Sequence, residues 1–369
     1  MSAEALDPRI VLTLDAGGSS FRFSALRGGE AVTETLAMPS QADDLDLCLA
    51  SLVEGFTRIK QQCPQPPAAI SFAFPGPADY PAGIIGDPPN FPAFRGGVAL
   101  GPMLEERFGI PVFINNDGDL FAYGEAIAGL MPKVNDLLQK AGSAKRYRNL
   151  IGLTLGTGFG GGIVHDGELF MGDNSMAGEV WLLRNKLHPG TNAEEGASIR
   201  AVRRVYAEKS GIPYEDAPEP KVIAAIADGH SPGNQPAARE AFRELGEVVG
   251  DALANILTLI DGLAVIGGGL SGAWPHFLPT LVAELNGNFT SADGTTFRRI
   301  ASTAFNLEDH AQMEKFLRGE TRAVRISGST RIAVHDSLPR IGVGITRLGT
   351  SQAIAVGAYA FALRKLDNR

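Results

Sequence analysis

Residues Leu12–Ser19 read LTLDAGGS, and residues Leu153–Gly160 read LTLGTGFG. In each, a short apolar run stops at clustered glycines and a second β-rich run follows, Phe21–Leu26 after the first and Ile163–Val164 after the second. The spacing predicts strand, glycine turn and returning strand, used twice in one chain. Glycine is needed at such a turn because a Cβ would block the approach of backbone N–H groups to a phosphate oxygen. Either loop alone is equally well an ordinary hairpin turn. Their repetition argues for an α/β protein with two related halves, each contributing a phosphate-binding turn to one cleft. It also argues against a nicotinamide enzyme, whose glycine loop opens a helix. Asp15 would stand beside the phosphates, where a carboxylate is repulsive unless it holds Mg2+ or a Mg2+-bound water.

Downstream of the first turn, Pro111–Glu125 reads PVFINNDGDLFAYGE. The apolar run predicts a buried strand that delivers Asn115, Asn116 and Asp117 to its C-terminal end, where ligands gather in open α/β sheets. A helix is expected over Leu120–Leu130 with Asp119 as its N-cap, and capping alone would explain either aspartate. Ala69–Phe74 reads as a strand ended by the rigid turn Pro75-Gly76-Pro77. In the Gly-, Pro- and Asn-rich segment Gly83–Phe94, Asn90 could present an amide to a polyhydroxy ligand or simply stabilise a surface turn.

Beyond the second glycine loop, Glu179 places another carboxylate. Glu194 and Glu195 are expected to open a helix over Glu194–Lys209, whose dipole tolerates acids. Leu263–Ile266 predicts a buried strand running into Gly267-Gly268-Gly269. There a base or ribose could approach the backbone, or helix and strand could pack closely. Residues Gly287–Leu338 are polar and irregular, without an assignable period. Thr350–Leu366 is patterned as an amphipathic helix that packs back on the first half.

A chain of 369 residues accommodates two domains, at roughly 100–200 residues each. A content of 44% hydrophobic and 20% charged residues is that of an ordinary globular enzyme. A net charge of −8 argues against a nucleic-acid partner, while local backbone N–H groups can still hold an anionic cofactor. Cys48 and Cys63 give neither a disulfide framework nor zinc-ligand spacing. With no charged leader before an apolar stretch and no run of ~18 apolar residues, a cytoplasmic protein without a membrane partner is expected.

In chain order the motifs are DAGGSS at Asp15, PGP at Pro75, GDPPNFP at Gly86, NND at Asn115, LGTGFGGGIV at Leu155, AGE at Ala177 and VIGGGL at Val265. Each is loose alone, but seven in this order make the chain similar to the ROK sugar kinases. The resemblance implies an α/β fold of two ribonuclease H-like (actin/hexokinase-type) domains with a cleft between them. Residues 1–118 with 350–369 would carry the first phosphate loop and the catalytic aspartate. Residues 119–349 would carry the second loop and the adenosine motif. Asp117 would be the general base toward a sugar hydroxyl, with Gly76, Asn90, Asn116, Glu179 and Glu194 around the sugar. Gly17, Gly18, Ser19, Gly156, Thr157 and Gly158 would hold the ATP phosphates, Gly267, Gly268 and Gly269 would border adenosine, and Asp15 would hold Mg2+ through water. Glu194 is preferred to Glu195 because Ser198 follows it in the family's E-x-x-x-S spacing, and Glu195 stays open. A homodimer is implied by the resemblance only.

The chain also departs from the family pattern. Leu182 stands where members commonly carry a His that binds zinc and contacts the sugar. Asn185–Ala193 lacks the family's Cys-rich motif, so no zinc site is expected, and His188 reads as a surface-loop histidine. Ser19 replaces the usual Thr and keeps the hydroxyl. The expected activity is phosphorylation of a hexose by ATP, with glucose the leading acceptor and N-acetylhexosamines, fructose and allose its rivals. A sugar-responsive DNA-binding regulator would need a helix-turn-helix domain, and only nine residues precede the Ile10 strand. A non-catalytic sugar sensor would have no need of Asp15 and Asp117 together.

Overall fold

The polypeptide alternates largely apolar strands with amphipathic helices, the pattern that folds as sheets covered by helices. A computed structural model describes residues 7–88 and 91–368. It divides into two compact units, Met1–Gly129 with Gly162–Gly178 and Leu348–Arg369, and Leu130–Gly161 with Glu179–Arg347.

The first unit is built on Val11–Ala16 and Ala69–Ala73, whose mostly apolar residues are buried over Val11–Leu14 and throughout the second strand, as suits strands covered on both faces. Val11–Ala16 pairs antiparallel with Ser20–Arg27 and parallel with Ala69–Ala73, which pairs parallel with Val112–Asn115. Glu30–Ala31 and Leu36–Pro39 extend the sheet beyond Ser20–Arg27. On one face an aromatic cluster of Phe21, Phe23, Phe56, Phe72, Phe74, Phe91 and Phe94 packs with the helix Leu45–Gln62. On the other, Val356, Tyr359, Ala362 and Leu363 of the C-terminal helix Thr350–Asp367 cover Val11, Leu26 and Ala69. That helix also crosses Asp117–Ile127 at two glycines. A Cβ on Gly124 would lie 1.9 Å from the Ala353 carbonyl oxygen, and one on Gly357 1.9 Å from that of Leu120.

The helix after Val112–Asn115 starts earlier than its sequence suggests. Asn116, in extended conformation, is the N-cap, and its Oδ1 accepts from Gly118 N at 2.8 Å. Asp119, the expected cap, is instead buried in the first turn of Asp117–Ile127. A side chain two positions before a free N–H is the one placed to cap it, so the earlier Asx residue takes the role.

The second unit centres on four parallel strands in the order Leu150–Leu155, Leu263–Gly267, Arg340–Ile345, Thr303–Asn306. The helices Gln235–Leu259, Trp274–Leu285, Ile199–Ser210 and Pro220–Ala227 bury their apolar faces in its core. The helix expected over Glu194–Lys209 is broken: Ala193–Glu195 is a single 3-10 turn and the α-helix begins at Ile199. Ser198 is extended and turns its Oγ back to the Glu194 carbonyl at 2.9 Å, which resets the chain before the helix starts. The irregular stretch Gly287–Leu338 resolves into the hairpin Asn288–Thr290/Thr296–Arg298, the strand Thr303–Asn306, the helix His310–Arg318 and the hairpin Thr321–Arg325/Ile332–Asp336.

Candidate active site

In the first unit, strand register brings the chemistry to one edge of the sheet. Asp15 lies opposite Ala73, and Ala73 lies opposite Asn115, so three neighbouring parallel strands release their loops at the same level. The loops are Gly17–Ser19, the turn Pro75-Gly76-Pro77, and Asn116-Asp117. The first is closed by Gly17 N donating to Ser20 O at 3.1 Å, and Ser40 is tied to it through the Gly18 and Ser19 carbonyls. Among the described residues nothing accepts from the N–H groups of Gly18 and Ser19. At Gly76 a Cβ would come within 3.1 Å of the Tyr80 hydroxyl, which donates to Phe74 O and so folds the turn back on the strand.

Asp117 occupies the first position of its helix, where the helix dipole favours a carboxylate. Its Oδ1 accepts from Gly118 N at 2.9 Å. Asp117 is exposed at the surface, with protein atoms around its carboxyl that weaken its hydration. Desolvation pushes its carboxyl above the ordinary carboxylate range, the Gly118 N–H opposes this, and the charge of Asp15 adds to the rise. Asp15 is exposed, and its carboxylate has no hydrogen bond to a described residue. Asn116 spends its Oδ1 on the cap, and no described residue accepts from its Nδ2. Asn90 lies outside the described residues.

The second unit repeats the construction. Gly156 N donates to Gly158 O at 3.0 Å, closing the loop after Leu150–Leu155, and no described residue accepts from the Thr157 or Gly158 N–H. Gly267 pairs with Thr154 in the neighbouring strand. Gly268 then passes so close to Leu155 that a Cβ would sit 2.2 Å from its carbonyl oxygen, and its φ of +86° suits only glycine. The Gly156–Gly158 loop and the Gly267–Gly269 turn are therefore side by side. A Cβ at Gly156 or Gly269 would meet nothing within 4 Å, so both expose backbone to open space.

Two acids of this unit stand out in the sequence. Glu179 precedes the short turn Val180–Leu182 and accepts from the Trp181 indole N–H. Glu194 Oε2 accepts from Phe159 N at 3.1 Å, and its Oε1 pairs with Arg200 Nη2 at 2.8 Å. Arg200 also holds Glu195 at 2.7 Å and reaches toward the Thr157 carbonyl. The hydrogen bonds to Glu195 and then Glu194 raise the guanidinium above its ordinary value. Glu194 is thus fastened to the glycine loop of its own unit. Arg200 gave no signal in the sequence, because its partners lie in a 3-10 turn outside helical spacing.

The departures from the family pattern have local structure too. Leu182 is exposed, and so is His188. In place of a Cys-rich motif, buried Asn185 organises the loop, its Oδ1 accepting from Leu187 N and His188 N at 3.0 and 3.2 Å. Among the described residues no three His, Cys, Asp or Glu side chains group as metal ligands.

Residues 11–312 match the model of the ROK family. The chain is 55% identical to a glucokinase of Parabacteroides distasonis whose crystal structure aligns with a TM-score of 0.89, over 98% of this chain and 99% of that one. A glucokinase of Streptomyces coelicolor is 27% identical over 284 residues, 71% of this chain and 82% of its own length. An N-acetyl-D-glucosamine kinase of Vibrio vulnificus is 30% identical over 277 residues, 70% of this chain and 83% of its own length. The chain belongs to the ROK family.

Proposed function

We infer that this chain is an ATP-dependent sugar kinase whose acceptor is glucose. The observation that carries the mechanism is Asp117. It is a solvent-reached carboxylate with a raised pKa at the carboxyl end of a strand, with Asp15 close enough to affect its charge. A base of that kind can take the proton of a sugar hydroxyl as the hydroxyl attacks the terminal phosphorus of ATP and the bond from that phosphorus to the bridging oxygen breaks, with ADP leaving. Phosphoryl transfer otherwise asks for positioning and charge neutralisation. Gly17, Gly18 and Ser19, with Gly156, Thr157 and Gly158, offer N–H groups to phosphate oxygens, and Gly267–Gly269 offer bare backbone to adenosine. Gly76, Asn90 and Asn116 offer backbone and amides, and Glu179 a carboxylate, of the kinds that suit sugar hydroxyls; the family motif implies such a contact for Glu194 as well.

Mg2+ fits the donors present. It prefers one or two carboxylates and completes its shell with water and phosphate. Asp15 is such a carboxylate, exposed and without a hydrogen bond to a described residue. When bound with ATP, Mg2+ supplies neutralisation of phosphate charge.

Glucose leads because the 55% identical relative is described as a glucokinase. The Vibrio relative keeps N-acetylglucosamine as the second acceptor. The reading includes a homodimer and a cytoplasmic setting without a nucleic-acid partner. Among the described residues no helix is long and apolar enough to cross a membrane. The test is ADP release from Mg-ATP across hexoses and N-acetylhexosamines, with Asp117→Asn alongside. Turnover stimulated most by glucose and lost in the variant is expected. A folded, ATP-binding protein that no sugar stimulates would instead be a sensor.

A further inference from the structure

We propose that Arg200 is a positioning residue that makes the Gly156–Gly158 loop hospitable to an anion by neutralising the two carboxylates beside it. The proposal rests on reading that loop as a phosphate loop. Glu194 reaches into the loop itself. Its Oε2 takes the Phe159 N–H at 3.1 Å and fills the space that a Cβ on Gly158 would need, 2.7 Å away. A carboxylate so close to a polyphosphate is repulsive unless a cation offsets it. Glu195 adds a second negative charge on the same turn.

Arg200 Nη2 holds both acids, at 2.8 and 2.7 Å, and its Nη1 is directed at the Thr157 carbonyl at 3.5 Å. It stands in the first turn of Ile199–Ser210, a helix whose Ile199 N–H donates to Gly156 O at 2.8 Å. The guanidinium therefore acts on the loop in two ways. It reduces the local charge from two negatives to one, and it fixes Glu194 in the position that anchors Phe159 N. Because the pairs are partly exposed, each is worth little by itself. The effect should appear in nucleotide affinity and leave the chemical step alone.

The experiment is steady-state kinetics, with KM for ATP and kcat measured at low and high ionic strength. The proteins are the wild type, Arg200→Ala, Arg200→Ala with Glu195→Gln, and Gly156→Ala, each checked for an unchanged melting profile. Arg200→Ala is expected to raise KM for ATP about five- to tenfold with kcat changed less than about threefold. The difference should narrow at high salt, which screens exposed charges. Glu195→Gln should recover most of the loss in the double variant, since it removes a carboxylate that Arg200 no longer offsets.

Gly156→Ala separates the two levels of inference. Its Cβ meets nothing within 4 Å in the protein, so the fold accepts it while the methyl group occupies space in front of the loop. If Gly156→Ala weakens ATP and Arg200→Ala does not, the phosphate-loop reading stands and the role of Arg200 is wrong. If neither changes KM for ATP, the loop reading itself fails. A loss in Arg200→Ala that neither salt nor Glu195→Gln relieves would overturn charge neutralisation as the cause.

Discussion

At Asp117 the needs of the chemistry and of the fold oppose each other. Desolvation, with a smaller contribution from Asp15, raises its carboxyl above the unfolded value, so the folded chain favours the neutral acid more than the unfolded chain does. The stability linked to this group is complete below the unfolded pKa and is lost as pH rises through the folded one. At neutral pH the ionised side chain is therefore a liability to the fold, and Asp117→Asn should leave the melting temperature unchanged or higher. The same substitution should reduce kcat by about 10²–10⁴-fold, the range for loss of a general base. The acidic limb of kcat/KM against pH should lie above the ordinary carboxylate range and move down in Asp15→Asn, which removes one cause of the shift. A limb at the ordinary carboxylate value would remove the raised carboxyl as its cause, and a kcat unchanged in Asp117→Asn would remove Asp117 as the base. The sequence made this residue legible because an apolar run ending in Asx marks the carboxyl end of a strand. It misassigned the helix cap, since Asn116, Asp117 and Asp119 are all plausible caps until the backbone of Asn116 is seen to be extended.

The helices Asp117–Ile127 and Thr350–Asp367 approach so closely that glycine is the only residue their crossing admits. Helix propensity favours Ala over Gly by about 0.8–1.0 kcal/mol in a helix interior. The measured sign at Gly124 and Gly357 thus reports whether contact outweighs propensity. With the new Cβ placed 1.9 Å from a backbone oxygen in each case, the helices must separate. Gly124→Ala and Gly357→Ala should each destabilise by about 1–3 kcal/mol or more, the usual cost of overpacking. Gly272→Ala, whose Cβ meets nothing within 4 Å, should not lower the denaturation midpoint. Equal midpoints in all three would mean that the helices do not pack this way. The amphipathic pattern of the C-terminal helix made its packing legible in the sequence, though not the glycine contact. The hairpin Thr321–Arg325/Ile332–Asp336 was illegible for a physical reason. All ten residues are exposed, so no buried face imposes an alternation of apolar and polar side chains. Arg200 was illegible because a turn, and not a helix, sets its distance from Glu194.

The two units have separate apolar cores, and both tryptophans of the chain, Trp181 and Trp274, belong to the second. Tryptophan fluorescence therefore follows unfolding of the second unit, whereas far-ultraviolet circular dichroism follows both. Chains with several units need not unfold in one step, so the two signals can have different midpoints. The repeated strand–glycine turn–strand motif made two halves legible, because each copy needs its own sheet. Where the chain passes from one unit to the other was not legible, since Phe159–His165 is a single strand that begins in the second unit and ends in the first. ADP offers a test of how the nucleotide is distributed over this architecture. Gly156–Gly158 and Gly267–Gly269, proposed for its phosphates and adenosine, lie in the second unit. A ligand that binds only the folded form stabilises it by about 2.7 kcal/mol at a hundred times its Kd. Mg-ADP at that concentration should raise the fluorescence-detected midpoint by several degrees, and Gly156→Ala should reduce the rise at the same ADP concentration. A fluorescence midpoint indifferent to ADP, in a protein that phosphorylates glucose with ATP, would place the nucleotide on residues other than these glycines.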